Sequence, residues 1–238
     1  MAAKNIKPIE TRYKGYRFRS RLEARWAVFM DHLDIPWDYE PQGYLVDDQP
    51  YLPDFLVWPD TEIAFWLEIK GGFPSEEELT KAHGLAQGSA IRTYVYWAKP
   101  EAPAPDLSHL TDDEYCGFDR GGYVWTDQDG WREYPTLPPT WQIGLAPTAF
   151  RFDPGPKAAE KKPKSGFWWW TECPHCGRAL IKHSGQVGWC PKYDHLEPNQ
   201  IVAKHGQPYP RFAHRTPRIL AAYEAARSAR FEHGESGA

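Results

Sequence analysis

The sequence predicts an α/β protein with a mixed (α+β) sheet, and three observations in its first hundred residues predict it. From Ser20 onward, Leu22, Trp26, Phe29, Met30 and Leu33 recur at the three-to-four-residue spacing of one helix face. Residues 62–70 alternate instead. Ile63, Phe65, Leu67 and Ile69 point one way and Ala64, Trp66, Glu68 and Lys70 the other, as in a strand. A second helix start, Ser75 with Glu78 three residues on, then separates that strand from the β-rich run IRTYVYWA. A strand, a helix and a strand in that order imply a parallel crossover.

Taken in order, TRYKGYRF (residues 11–18) is a short basic and aromatic strand. The first helix opens at Ser20 and stops before Pro36. Strands follow at about 37–40, 52–58 and 62–70, and the second helix runs from Ser75 to near Gly88. The core, residues 11–100, therefore reads α-β-β-β-α-β. Residues 101–156 form an acidic extension rich in tryptophan and proline, with one hairpin, YVWT-DQDG-WREY. KAAEKKPKSG (157–166) has the composition of a linker. Residues 167–231 hold a cysteine module and a closing helix, TPRILAAYEAARSARF, with Thr216 as N-cap and Pro217 at the first helical position.

Hydrophobic residues make up 41% of the 238 and aromatics 15%, enough for a packed core and against a disordered chain. No apolar run approaches the roughly 18 residues of a membrane span, and MAAKNIKPIE lacks the apolar stretch of a secretory signal. A cytoplasmic protein with no membrane partner is expected. The net charge of −4 hides an asymmetry. Residues 4–25 carry eight Lys or Arg against two acids, and residues 157–230 carry thirteen against five. Residues 101–156 carry three against ten. Two basic segments around an acidic one suit a nucleic-acid binder, although ordinary solvated faces produce such runs too.

The stretch YLPDFLVWPDTEIAFWLEIKGG (51–72) places charges where strands are buried. Period two sets Glu68 and Lys70 on one face, and a hairpin folds Asp54 against them. Buried charges are costly unless paired or bound to a metal. Two clustered carboxylates make a hard-oxygen site of the kind Mg²⁺ takes, completed by water and substrate phosphate. A lysine beside them can orient an attacking water or neutralise charge on a phosphate. A plain buried ion pair explains the same three residues without chemistry.

Pro53-Asp54-Phe55 followed by Glu68-Ile69-Lys70 resembles the signature of the PD-(D/E)xK nuclease superfamily, the restriction-endonuclease-like fold. The element order agrees, as does a glutamate on the upstream helix, Glu23. The layout of residues 11–97 is similar to that of end-cleaving endonucleases of Tn7-type transposons and of small nuclease-like proteins of phages and mobile elements. The resemblance implies a Mg²⁺- or Mn²⁺-dependent DNA endonuclease, in the host cytoplasm if phage-encoded. It implies Asp54, Glu68 and the Ile69 carbonyl as metal ligands, Lys70 acting on the water or the scissile phosphate, and Glu23 holding a metal-bound water or completing a second metal site. Glu23 has a rival role, because Ser20-x-x-Glu23 is also a capping box in which the glutamate bonds back to the Ser20 amide. Lys81, two turns into the second helix, matches a position where relatives keep a polar residue facing the site; most helical lysines are simply solvated. Arg19, Arg21 and Arg25 surround the start of the first helix and are candidate DNA-backbone contacts. Tyr13, Tyr16 and Phe18 among them could stack on bases or form one strand's apolar face.

In the module, Cys173-x2-Cys176 is followed by Cys190 after thirteen residues. CPHCG looks like the first knuckle of a zinc ribbon and WCPKYDH like the second. Tyr193 stands where a second pair would place its last thiolate, so His195 is the expected fourth Zn²⁺ ligand, with His183 as the alternative. Four protein ligands leave no open position, so this zinc would be structural. A redox pair is the competing reading, but no thioredoxin-like pattern surrounds it. Cys116 stands alone.

Two further functions stay open at this level. One is a non-cleaving DNA-binding or assembly protein that uses the nuclease fold as scaffold. The other is a nuclease subunit active only within a transposition or phage complex, with residues 101–156 as the partner surface. Pairing of two chains to cut both strands is also open.

Overall fold

The computed structural model describes residues 8–97, 99–100, 122–126, 130–134, 149–155, 164–166, 168–173, 176–183 and 215–231. Where one strand is expected at residues 11–18, there is a hairpin of β1 (Thr11–Tyr13) and β2 (Tyr16–Phe18). Its turn residues Lys14 and Gly15 both have positive φ, 46° and 81°, the geometry that matches the twist of paired strands. Helix α1 (Arg21–His32) follows, with the Ser20 side chain accepting the Glu23 amide as N-cap. Strand β3 (Trp37–Tyr39) leads to a second hairpin, β4 (Tyr44–Val46) and β5 (Gln49–Tyr51), turned by Asp47 and Asp48 at φ 50° and 60°. Then come β6 (Phe55–Val57), β7 (Phe65–Lys70), α2 (Glu76–Ser89) and β8 (Arg92–Trp97). The expected α-β-β-β-α-β order is present, with the β4–β5 hairpin inserted.

Helix α2 starts with a complete capping box between Ser75 and Glu78. Strands β7 and β8 run parallel on either side of it in sequence, as the crossover requires. A hairpin of β9 (Gly122–Thr126) and β10 (Gly130–Tyr134) matches the one expected in the acidic stretch. The end of that stretch does something composition does not signal. Strand β11 (Ala149–Phe152) pairs with β8, and β12 (Lys164–Gly166), from the expected linker, pairs with β11. The result is a six-stranded mixed sheet in the order β12-β11-β8-β7-β6-β3, so the sheet extends past residue 100.

One face of the sheet carries Phe55, Val57, Phe65, Leu67, Tyr94 and Tyr96 against Trp26, Phe29 and Met30 of α1. The other carries Val95, Phe150 and Phe152 against Leu79, Ala82 and Ala86 of α2. Strands β13 (Trp168–Glu172) and β14 (Ala179–His183) form the cysteine hairpin, and α3 (Pro217–Ser228) closes the chain with Thr216 as N-cap and proline in its first turn. Both join the first core. Trp170, Ile181, Ile219, Ala222 and Tyr223 are buried with Trp26 and Phe29, and the Tyr223 ring lies 4.5 Å from that of Phe29. Leu220, beside them on α3, is only half-buried. Arg218 locks this arrangement. It donates to the Gly177 carbonyl at 2.8 Å, the Leu33 carbonyl at 2.6 Å and the Glu172 carboxylate at 3.1 Å, and it pairs with Asp34. Its donors are thereby engaged by carbonyls and acids of the chain itself. Among the described residues, no helix is long and apolar enough to cross a membrane.

Candidate active site

Strand pairing builds the site. Phe55 lies opposite Leu67 in the antiparallel β6–β7 register, so the next step brings Asp54 against Glu68 on the other face. Two hydrogen bonds fix that step. The Asp54 amide donates to Glu68 Oε1 at 3.2 Å, and the Ile69 amide donates to Asp54 Oδ2 at 2.7 Å. Each carboxylate thus has one oxygen held by its neighbour's main chain. Each second oxygen faces a cation: Lys70 Nζ is 3.2 Å from Glu68 Oε2, and Arg19 Nη2 is 2.6 Å from Asp54 Oδ1.

Glu23 reaches the same region from the first turn of α1. Its Oε1 accepts the Ser20 hydroxyl at 2.6 Å and its Oε2 accepts the Tyr39 hydroxyl at 2.5 Å. Only half of a capping box is present, because the carboxylate turns to the sheet rather than back to the Ser20 amide. Tyr39 in turn accepts the Arg19 amide at 3.0 Å. Glu40, with φ 47°, places a carboxylate oxygen 2.5 Å from Arg19 Nε and anchors its own amide on the Asp54 carbonyl.

Asp54 is 3% exposed, Glu68 1% and Glu23 7%, yet all three line an open cleft of about 1240 Å³. Arg19, Arg21, Ile69, Lys70, Gly71, Gly72 and Glu78 share its wall, together with Tyr51 and Leu52. Burial, then repulsion from Glu68, holds the Asp54 carboxyl well above its ordinary range, and Lys70 and the Ile69 amide only partly oppose this. For Lys70 burial pulls downward, but Glu68, Asp54 and Glu78 outweigh it and the ammonium is stabilised. The buried Tyr51 hydroxyl is raised by burial and by Glu68 beside it.

Two adjacent buried carboxylates opening on a cleft fit a hard divalent ion. Among the described residues, no three His, Cys, Asp or Glu side chains stand close enough to share one ion. The strands bring together a pair, Asp54 and Glu68, with Glu23 set apart, which fits an ion that takes its remaining oxygens from main chain, water and substrate.

Other expected contacts divide. Arg19 and Arg21 line the cleft, while Arg25 is half-buried and outside its wall. Lys81 does not reach the site. It pairs with Glu77 one turn back at 2.6 Å, because the acidic first turn of α2 offers a nearer partner than the cleft does. Phe18 is fully buried against Tyr39 and Phe55, Tyr16 packs on Trp37, and Tyr13 meets Phe231 edge-on, so these rings serve packing. Tyr39, Glu40, Tyr51 and Glu78 are site residues that the sequence reading missed. Tyr39 and Glu40 sit at the end of a predicted strand, but only the β3–β6 pairing places them beside Asp54.

In the cysteine hairpin, the Gly177 amide bonds the Cys173 carbonyl and the Cys173 amide bonds the Arg178 carbonyl, a tight turn around Cys173 and Cys176. Cys173 is buried and Cys176 half-buried. Cys190 and His195, as well as the lone Cys116, lie outside the described residues, and of His183 only the strand position is described. Comparison of the chain with protein-family models, with curated proteins and with solved structures found no match.

Proposed function

We propose that the chain is a divalent-metal-dependent DNA endonuclease that hydrolyses phosphodiester bonds. The observation that carries this reading is the convergence of Asp54, Glu68 and Lys70 from two neighbouring strands on an open cleft that Glu23 also lines. Asp54, Glu68 and the Ile69 carbonyl would hold Mg²⁺ or Mn²⁺. The ion, when bound, supplies positive charge for the phosphate and makes nearby water more acidic. Lys70, kept protonated by three carboxylates, donates to a phosphate oxygen or orients the attacking water. Glu23, clamped by Ser20 and Tyr39, orients water from the opposite wall. In-line attack then leaves a 5′-phosphate and a 3′-hydroxyl. The basic segments at residues 4–25 and 157–230 support a polyanionic substrate, and Cys173 and Cys176 would contribute to a structural zinc site. The acidic, tryptophan-containing part of residues 101–156 that precedes β11 is the proposed surface for a protein partner.

One observation favours a second reading. Each buried carboxylate already faces a cation of the chain itself, Arg19 or Lys70, which suits a non-cleaving DNA-binding scaffold. A single assay separates the two. Purified protein with Mg²⁺ or Mn²⁺ is offered supercoiled plasmid, linear duplex, single strand and a four-way junction. The nuclease reading expects scission of at least one substrate and its loss, by about a thousandfold or more, in Glu68→Gln. Binding without scission of any substrate, or full activity in Glu68→Gln, would overturn it. Metal analysis of the same protein, beside Cys173→Ser, tests for the zinc.

A further inference from the structure

We infer that Arg19 is an exchangeable cation, shared between Asp54 and the substrate phosphate, that makes metal binding and phosphodiester binding favour one another. The inference rests on the nuclease reading above and gives that site a coupling it does not otherwise have.

Asp54 Oδ2 is taken by the Ile69 amide, so Oδ1 is the oxygen left for a ligand, and Arg19 Nη2 sits on it at 2.6 Å. A divalent ion that takes Oδ1 must displace that nitrogen or share the oxygen with it, and two cations on one carboxylate oxygen repel. The guanidinium can move without leaving the cleft. Its Nε is held by Glu40 at 2.5 Å, while among the described residues Nη2 has the Leu52 carbonyl at 3.4 Å as its one further partner. The side chain is half exposed, whereas Asp54 is buried. Its main chain stays put, because the Arg19 amide is bound to the Tyr39 hydroxyl. Released from Oδ1, the planar fork keeps its Glu40 anchor and turns its other edge to the cleft, where a phosphate accepts two parallel hydrogen bonds.

Lys70 cannot play this part. Its ammonium lies within 3.2 Å of Glu68 and 3.9 Å of Glu78, on the face covered by α2, and it is far less exposed than Arg19. The two cations are therefore unequal: Lys70 belongs to the site in every state, and Arg19 trades partners. By linkage, a metal that releases Arg19 strengthens phosphate binding, and a bound phosphodiester that draws Arg19 away strengthens metal binding by the same factor.

The test measures binding rather than turnover. Mn²⁺ uptake by the full chain at pH 8 is followed by the loss of the free-ion EPR signal, for wild type, Arg19→Gln, Arg19→Lys and Asp54→Asn. Binding of a fluorescent duplex oligonucleotide is followed by anisotropy with and without Ca²⁺, its integrity checked on a gel. Arg19→Gln is expected to bind Mn²⁺ about tenfold more tightly than wild type and to lose most of the ion-dependent gain in oligonucleotide affinity. Arg19→Lys, which cannot span Glu40 and Asp54 with one planar fork, should fall between them, and it serves should the glutamine variant fail to fold. Equal Mn²⁺ affinity in wild type and either folded Arg19 variant overturns the exchange. Loss of Mn²⁺ binding in Asp54→Asn in that same experiment would leave the metal site standing. Unchanged Mn²⁺ binding in Asp54→Asn would instead remove the site itself.

Discussion

At the scale of single residues, the site is a set of buried acids whose placement is unfavourable unless something offsets it. Asp54 is the extreme case, since burial and Glu68 both oppose its charge. The folded protein therefore holds the Asp54 proton more tightly than the unfolded chain does. The native state binds more protons between the ordinary aspartate pKa and the raised one, so stability falls as pH rises through that interval. Asp54→Asn should accordingly melt at a higher temperature than wild type at pH 8, and the gap should close as the pH is lowered towards 4, as followed by circular dichroism. Tyr39 makes a different prediction. Its hydroxyl donates to Glu23 and accepts from the Arg19 amide, so Tyr39→Phe leaves a buried carboxylate oxygen and a main-chain amide short of a partner. A loss of about 1–3 kcal/mol in stability is expected. Any nuclease activity should fall in kcat more than in KM, because Glu23 loses its orientation rather than the cleft its shape. Asp54, Glu68 and Lys70 were legible in the sequence because period two and a hairpin bring them together by local rules. Arg19, Tyr39 and Glu40 were not legible as a unit. Their meeting depends on which strand lies beside β6, a non-local pairing that no spacing along the chain encodes.

At the scale of elements, the β4–β5 hairpin is the piece that forms one wall of the cleft. It was invisible in the sequence because Pro50 reads as a strand breaker; the structure tolerates it in a ribbon that is two-stranded among the described residues. Asp47-Asp48 was the signal that could have found it, as short polar residues that accept positive φ. The hairpin rests on α2 at Gly84, where a Cβ would lie 2.3 Å from Val46 Cγ1. Alanine at this helical position gains about 1 kcal/mol of intrinsic helix preference. Val46 is buried and β-branched, with little freedom to retreat, so the clash should win. Gly84→Ala is expected to be destabilised by about 1–3 kcal/mol in a urea titration, and to raise protease sensitivity around residues 44–51 before the rest of the chain. The helices were easier to read. Ser20, Ser75 and Thr216 all cap where their sequence positions say they should, because a cap is a contact three residues long.

At the scale of the whole molecule, the first hundred residues do not close their own core. The sheet gains β11 and β12 from beyond residue 148, and α1 is covered by α3 and the cysteine hairpin. Composition pointed to a separate module after a linker. What it could not register is that Trp170, Ile219 and Tyr223 share a core with Trp26, since apolar residues carry no label for the partner they will meet. Arg218 concentrates that long-range closure in one side chain, binding the C-cap of α1, the Gly177 turn and Glu172 together. Arg218→Ala should cost about 1–3 kcal/mol in a denaturant titration, its half exposure keeping the loss modest. Any catalytic role of Asp54 and Glu68 would be lost only in proportion to unfolding. The consequence reaches beyond stability. A piece cut out at residue 100 would carry every described acid of the cleft and still bare the indole of Trp26 and the ring of Phe29 to water. Recombination or protein engineering that moves this cleft to a new setting must bring the far end of the chain along with it.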